Sequence, residues 1–362
     1  MKTRIVISSA ILCLLLLAGG SCKNDPPTGT HTCDTCNIDT THHTSSNDTT
    51  SHNFTWTQST ISGEAGLTGC WVFGQNNIYV VGGAVRKFDG SKWKDVSPGD
   101  AGGSLSGSLS GFTMFAFSEG DYWLTHSGLV FRVQGGTAQP YQFGLDMGGP
   151  LHSSWGTSSS NMYSVGDYGT ILHFDGSTWT KMQSGTTKGI GTIWGTSNTN
   201  IWASGFNPHT AESVLLHYNG VSWSTIDLSR LGTFGVGANA LNSCWVCDSA
   251  GHSVIVASGS SFYRETDNGA WRSDSGHVPN SLGSGSFIGL FNVTGNNAND
   301  FMGGGDGGLI IHWNGVTFLR FESLYSPNDQ TYLTNAMSMK ANTACVVGAK
   351  SGGSWIAIGQ RK

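Results

Sequence analysis

The chain has 362 residues, of which only 11% are charged, while 53 are Gly and 13 are Trp. The chain has a formal net charge of −5 and no basic stripe, so its charge does not favour binding to nucleic-acid phosphates. The abundance of Gly together with aromatic residues favours short strands and tight turns over helices.

The first segment has the features of an export signal. Lys2 and Arg4 precede an apolar run over residues 5–18, and the sequence GGSC then ends at Cys22. This pattern resembles the lipobox of bacterial lipoproteins, although Gly19 stands where the family usually has Leu. We expect residues 1–21 to be a lipoprotein signal peptide and Cys22 to carry a lipid anchor. An ordinary signal peptide with an incidental cysteine is the alternative.

The residues after the cysteine indicate where the anchored chain goes and how it is tethered. The sequence KNDPP resembles the export signal of surface lipoproteins in Bacteroidetes-type bacteria, which implies the outer membrane and the cell surface. Residues 22–53 are rich in Thr, Ser and Asn, and we expect a disordered tether there, because so few apolar residues cannot offset chain entropy. Cys33 and Cys36 lie in this tether, where a local disulfide is at least as well favoured as a zinc site. We predict no metal and no cofactor.

From Phe54 onward the chain repeats. An acid or amide followed by an aliphatic residue (Tyr in the second copy) and an aromatic residue begins four clear copies, and weaker copies start at Ser243, Asp300 and Thr343. The clear copies are NIYVVGG at Asn77, DYWLTHSG at Asp121, NMYSVGD at Asn161 and NIWASG at Asn200. A period of roughly 40 to 45 residues with alternating strand patterns is typical of four-stranded propeller blades.

A second repeated element predicts a hairpin in most blades. Asp-Gly or Asn-Gly between two alternating runs is a strong hairpin signal, and it occurs at Asp89, Asp175, Asn219 and Asn314. We label the strands of each blade a to d from the axis outward, with this turn between c and d. Because the acid or amide recurs from blade to blade, we interpret it as a turn residue and not as a catalytic acid. The same reasoning gives the recurring His173, His217 and His312 of strand c a structural role.

The two ends of the chain complete one blade. The seventh copy stops after strand c, and residues 54–60 match a strand d that has no strands before it. We therefore predict an all-β fold over residues 54–362: a seven-bladed β-propeller of four-stranded blades, whose last blade is closed by an N-terminal strand.

These repeats, such as NMYSVGDYGTILHFDGSTW from Asn161, resemble bacterial propellers related to the photosystem II stability/assembly factor family. More distantly they resemble Asp-box and kelch propellers. The resemblance covers residues 54–362 and implies the fold, but such propellers serve many functions and no ligand site carries over. Cys70 and Cys345 fall in the adjacent blades one and seven, where a disulfide is possible but not expected. We interpret Cys244 and Cys247 as buried thiols.

The candidate site lies on the face that carries the d-to-a and b-to-c connections, because polar residues and long loops concentrate there. The candidate ligand-binding residues are His126, Asp167, Tyr168, His209, Glu212, Asp248, His252 and Asp306. Polar groups from several blades that converge on one axial mouth favour a non-enzymatic module that binds a glycan, a peptide or a partner protein. The alternative is a glycoside hydrolase or lyase that uses two carboxylates from Asp167, Glu212, Asp248 and Asp306.

Overall fold

Most of the described chain is β-strand, which agrees with the predicted all-β class. The computed structural model describes residues 49–100, 102–144, 146–207, 212–231, 241–249, 252–258, 261–265, 271–273, 289–324, 326, 332–351 and 353–362. The predicted signal peptide, Cys22, Cys33, Cys36 and His209 lie outside these ranges. No helix within them has the length and apolar character of a membrane span.

The strands form seven sheets, of which six have four strands and one has six. Strand β1 is Phe54–Ser59. The first sheet contains β2 (Gly69–Gly74), β3 (Asn77–Val81), β4 (Val85–Phe88) and β5 (Trp93–Asp95). The second contains β6 (Gly99–Asp100), β7 (Gly103–Ser104), β8 (Thr113–Ser118), β9 (Asp121–His126), β10 (Leu129–Gln134) and β11 (Thr137–Gln142). The third contains β12 (Leu151–Ser158), β13 (Asn161–Gly166), β14 (Thr170–Phe174) and β15 (Trp179–Lys181).

The remaining sheets follow in chain order. The fourth contains β16 (Thr192–Ser197), β17 (Asn200–Asn207), β18 (Glu212–Tyr218) and β19 (Trp223–Thr225). The fifth contains β20 (Ser243–Ser249), β21 (His252–Ser258), β22 (Phe262–Glu265) and β23 (Trp271–Ser273). The sixth contains β24 (Leu290–Asn297), β25 (Asp300–Gly305), β26 (Ile310–Trp313) and β27 (Phe318–Arg320). The last contains β28 (Leu333–Lys340), β29 (Thr343–Lys350), β30 (Gly353–Arg361) and β1. Short 3₁₀ turns span Leu228–Leu231 and Asp306–Gly308.

The strands a of the seven sheets surround one axis. Each contacts the strand a of the next sheet along the chain, and β28 of the last sheet contacts β2 of the first. Large aromatic side chains, among them Trp123, Trp155 and Trp245, are buried within and between the sheets. The propeller fold with four-stranded blades is therefore confirmed.

The second sheet departs from the predicted four strands. Its outer strand β11 has six residues, whereas β5, β15 and β19 have three each. A longer outer strand leaves more unpaired backbone at its edge. The connection that follows β5 covers part of this edge, because β6 and β7 form a small hairpin and Gly99 pairs with Thr137 of β11. Four strands per blade were predicted, and this sheet has two more.

The N-terminal strand closes the last sheet, as predicted. Strand β1 pairs antiparallel with β30 in a register that sets Phe54 opposite Arg361 and Ser59 opposite Ile356. The Trp56 ring lies over Gly359, where an added Cβ would meet it at 2.9 Å. The pairing covers the outer edge of β30, so the two ends of the chain share one sheet.

The recurring turn residues and histidines have the structural roles that were predicted. Asp175 Oδ1 accepts the backbone N–H groups of Ser177 and Thr178 at 2.9 and 2.8 Å. Matching bonds occur at Asp89, Asn219 and Asn314. Each histidine pairs through Nε2 with the first residue of strand b in its own sheet. The pairs are His173 with Asn161 at 2.7 Å, His217 with Asn200 at 3.1 Å and His312 with Asp300 at 2.8 Å.

The interpretation of the Ser243 copy as a strand b was wrong. It forms β20, which is the strand a of the fifth sheet and contacts β16 and β24 on either side. The tripeptide Cys-Trp-Val at 244–246 is identical to residues 70–72 of β2, another strand a, so the true alignment was present in the sequence. The correction moves Asp248 and His252 to the a-to-b turn, on the face opposite to the predicted one.

Candidate functional site: the axial funnel

A cavity of about 570 Å³ lies on the propeller axis, lined by residues from strand a of every sheet. Each strand a starts at the face of the d-to-a and b-to-c connections. Thr68, His126 and His152 line the cavity and lie at that end, so the cavity opens towards the predicted functional face. We call this cavity the axial funnel.

Aromatic rings narrow the funnel halfway along the axis. Trp71 of β2 and Trp194 of β16 approach with ring centroids 6.2 Å apart, although their sheets lie on opposite sides of the ring. Phe115 packs edge-on against both, at 5.1 Å from Trp71 and 6.0 Å from Trp194. The rings of Trp71 and Trp194 line the funnel, and Phe115 packs behind them. We call the Trp71–Trp194 pair the floor of the funnel.

Side chains at the start of strand a join neighbouring sheets around the mouth. Each donates a hydrogen bond to a backbone carbonyl of the next sheet. The bonds run from Thr68 to Phe112 at 2.8 Å, Thr113 to His152 at 2.9 Å, Asn242 to Leu290 at 3.0 Å, Asn292 to Thr334 at 3.1 Å and Asn335 to Leu67 at 2.9 Å. The last bond joins the seventh sheet to the first. Sequence reasoning missed this set, although a Thr or Asn beside the start of strand a was a visible signal.

The described walls of the funnel include polar Asn, Ser, Thr and His side chains. The amide nitrogens of Asn292 and Asn335 are engaged with the next sheet, so their Oδ1 atoms are the acceptors that these lining residues offer to a ligand. Among the described residues that line the funnel, none is Asp, Glu, Lys or Arg. Met114 and Met337, which are both half-buried, also line the funnel.

Three of the predicted residues lie at or beside the mouth. His126, the last residue of β9, lines the funnel and packs on Phe112 with ring centroids 5.2 Å apart. Asp167 Oδ1 lies 3.0 Å from Nε2 of His152, a lining residue that sequence reasoning missed. Tyr168 follows in the same turn, with φ of 57° and 75% of its surface exposed. Its ring therefore projects from the tight turn between β13 and β14.

The other predicted residues do not join this group. Glu212 is exposed at the start of β18, with Lys188 Nζ at 3.8 Å. Asp306 Oδ2 accepts the backbone N–H of Gly289 at 3.1 Å, and burial raises the pKa of this carboxyl. Asp248 accepts a hydrogen bond from Thr196 at 3.1 Å on the opposite face, and His252 begins β21 at the same a-to-b turn. The predicted convergence of all these groups on one mouth was wrong for Asp248 and His252, because both depended on the misassigned strand.

The described cysteines Cys70, Cys244, Cys247 and Cys345 are buried, and Cys70 and Cys345 are not joined by a disulfide. Cys70 Sγ lies 3.5 Å from the carbonyl oxygen of Cys345 in the neighbouring sheet, and burial raises the pKa of its thiol. Cys244 and Cys247 are buried, as predicted. Across the described ranges, no group of three or more His, Cys, Asp or Glu side chains is placed to hold a metal ion.

Solved structures share this fold. A structure of YCF48 bound to D1 peptide has a TM-score of 0.61 at 12% identity, covering 85% of this chain and 95% of that one. YCF48 from Cyanidioschyzon merolae has a TM-score of 0.56 at 14% identity, covering 83% of this chain and 98% of that one. The extracellular domain of a putative hybrid two-component system from B. thetaiotaomicron has a TM-score of 0.58 at 12% identity, covering 84% of this chain and 39% of that one.

The likeness is one of fold, since the identities are this low. It agrees with the group that the repeats resemble, because YCF48 is a photosystem II assembly factor. No family model matches the chain, and no curated protein matches it.

Proposed function

We propose that this chain is an exported binding module, in which a seven-bladed propeller binds a segment of a partner protein over the mouth of the axial funnel. The observation that carries the proposal is the funnel itself, a concave cavity on the predicted functional face whose described lining has no Asp, Glu, Lys or Arg. Its size lies within the ~300–1,000 Å³ range of ligand sites. The contact of β28 with β2 supports a closed ring of seven blades.

The fold neighbours support a polypeptide ligand and an exported location. One was solved with a bound peptide, and another is an extracellular bacterial domain. The chain itself offers an exposed Tyr168 in the same turn as Asp167, whose carboxylate contacts His152 of the funnel lining. A protruding aromatic side chain with polar neighbours is a common centre of protein interfaces.

A glycan is the second candidate, because the same exposed ring beside hydrogen-bonding groups also suits a sugar. The hydrolase alternative is not part of the proposal. Its four carboxylates have separate local partners, and Asp248 lies on the other face.

The proposal includes a lipid anchor at Cys22 and a tether over residues 22–53, which place the propeller at the outer membrane and the cell surface. The support is the sequence: an apolar run, a small-residue cleavage pattern and a Thr-rich tract. A lipid chain holds such a module at the membrane while the tether leaves it free to meet partners.

The test compares the two faces of the propeller in living cells. A photo-crosslinking amino acid is placed at Tyr168 beside the mouth or at Val221 in a c-to-d turn of the opposite face; both positions are exposed, at 75% and 85%. We expect a crosslinked polypeptide from position 168 and none from position 221. A crosslink from position 221 alone means that the binding face is the opposite one, and no polypeptide crosslink from either position contradicts the proposed function.

A further inference from the structure

We infer that the axial funnel receives one bulky, uncharged apolar or aromatic side chain from an extended segment of the partner polypeptide, together with its flanking backbone. The inference rests on the proposed function and names the chemistry that the site selects. It follows from the floor, the walls and the charge of the funnel, taken in turn.

The floor favours insertion of an apolar group over stacking of a sugar. Trp71 and Trp194 lie against each other with a ring tilt of 33°, and Phe115 covers part of both. Much of each ring is therefore committed to its neighbours, whereas a sugar needs an open aromatic face. Met114 and Met337 line the funnel as well and add flexible apolar surface, although the Met337 sulfur packs against Gly304 of the sixth sheet.

None of the described lining residues is Asp, Glu, Lys or Arg, which disfavours a charged anchor inside the funnel. A carboxylate or ammonium group in the funnel would lose water without meeting an opposite charge among the described lining residues. The ionisable groups His126, His152 and Asp167, whose carboxylate contacts His152, lie at the mouth and not at the floor. Leu, Met, Phe, Tyr and Trp remain as anchors.

The walls offer hydrogen-bond acceptors to the partner backbone that flanks the inserted side chain. Oδ1 of Asn292 and Oδ1 of Asn335 remain as acceptors, since both amide nitrogens are bound to the next sheet. Two neighbouring acceptors of fixed orientation suit two backbone N–H groups of an extended segment. The same two bonds hold the amides in place, so little side-chain freedom is lost on binding.

The first experiment uses ligand-observed saturation-transfer NMR on the purified full chain. The probes are the N-acetyl amides of phenylalanine, leucine, lysine and aspartate, with methyl β-glucoside as the glycan arm. Ala336→Trp fills the funnel, and Gly191→Leu is a second filling variant, because the nearest atoms to an added Cβ at Gly191 are 3.8 and 3.9 Å away. Val221→Trp on the opposite face is the matched control, and melting temperatures verify that each variant is folded.

We expect the phenylalanine and leucine amides to receive saturation from the wild-type and Val221→Trp chains, and the lysine and aspartate amides to receive none. In the filling variants the apolar amides should bind roughly tenfold or more weakly, since burying one such side chain contributes about that much affinity. Equal saturation of the charged amides, saturation of the glucoside alone, or unchanged binding in both folded filling variants would overturn the inference.

A second measurement separates this inference from the proposed function. The crosslink from position 168 is repeated in the Ala336→Trp chain. Loss of the crosslink supports insertion of a partner side chain into the funnel. A crosslink of unchanged yield means that the partner binds this face without using the funnel, so the inference fails while the proposed function stands.

Discussion

Nδ1 of His52 lies 2.7 Å from Nδ1 of His312, and this contact joins the segment before β1 to the sixth sheet. His52 Nε2 lies 3.0 Å from Thr317 Oγ1, while His312 Nε2 lies 2.8 Å from Asp300 Oδ1. Two ring nitrogens at this distance share one hydrogen, so the two Nδ1 atoms cannot both be protonated without losing the bond. The contact therefore requires that at least one of the two rings is neutral.

Acid should weaken this contact. Burial, and then the positive charges of His312 and Arg361, lower the pKa of His52 from 6.5 to about 4. The unfolded chain thus binds the proton more tightly than the folded one, so the stabilisation is complete above pH 6.5 and is lost as the pH falls towards 4. We expect the melting temperature to fall across this window, and to fall less steeply in His52→Asn. Parallel curves for the two proteins would contradict the role of His52.

The carboxylate of Asp300 should contribute strongly to stability. It is 2% exposed and accepts hydrogen bonds from His312 at 2.8 Å and from Arg361 at 2.5 Å. Burial alone would raise its pKa, but the bonds from His312, Arg361 and Asn296 hold the pKa below its usual value. Asp300→Ala leaves the Arg361 charge buried without its partner, which typically costs about 3–5 kcal/mol.

Urea unfolding of Asp300→Ala measures this cost, and Glu322→Gln is the control. Glu322 pairs with Arg320 at the surface, with 64% of its side chain exposed. Such exposed pairs contribute about 0–1 kcal/mol. Similar losses in the two variants would show that the buried cluster is not a special source of stability.

The closing strand should be essential to the last sheet. Chains that start at residue 49 and at residue 63 differ in β1, which pairs along β30 and packs Phe54 and Trp56 against Phe321. We expect the shorter chain to lose several kcal/mol or to aggregate through the exposed edge of β30. Thermal melting and size-exclusion chromatography test this, and equal melting temperatures for the two monomeric chains would refute a structural role for β1.

The predicted lipid anchor is tested at Cys22. Cys22→Ala should leave the chain unprocessed or release it from the membrane fraction, because an acyl chain supplies the membrane affinity. Membrane fractionation measures release from the membrane, and mass spectrometry of the N-terminus measures processing. A variant that is processed and fractionates like the wild type would show that the signal peptide is of the ordinary kind.

The sequence by itself determined the features that depend on short stretches of chain. The Asp-Gly and Asn-Gly turns, the alternation of the flanking strands and the split blade were all visible, because each turn is held by atoms two or three residues apart, as at Asp175. The structural roles of His173, His217 and His312 also followed from their repetition. Only the strand of one weak copy, at Ser243, was misassigned.

The tertiary structure alone decided what lies on the axis. Trp71 and Trp194 are 123 positions apart and meet only because the sheets close into a ring, and no local pattern encodes that contact. The same holds for His152 beside Asp167 and for Asn335 bound to Leu67 across the junction of the last and first sheets. Neighbouring strands of a sheet run in opposite directions, so assigning a residue to the wrong strand moves it to the opposite face. For this reason Asp248, at the end of β20, lies on the face opposite to the predicted one.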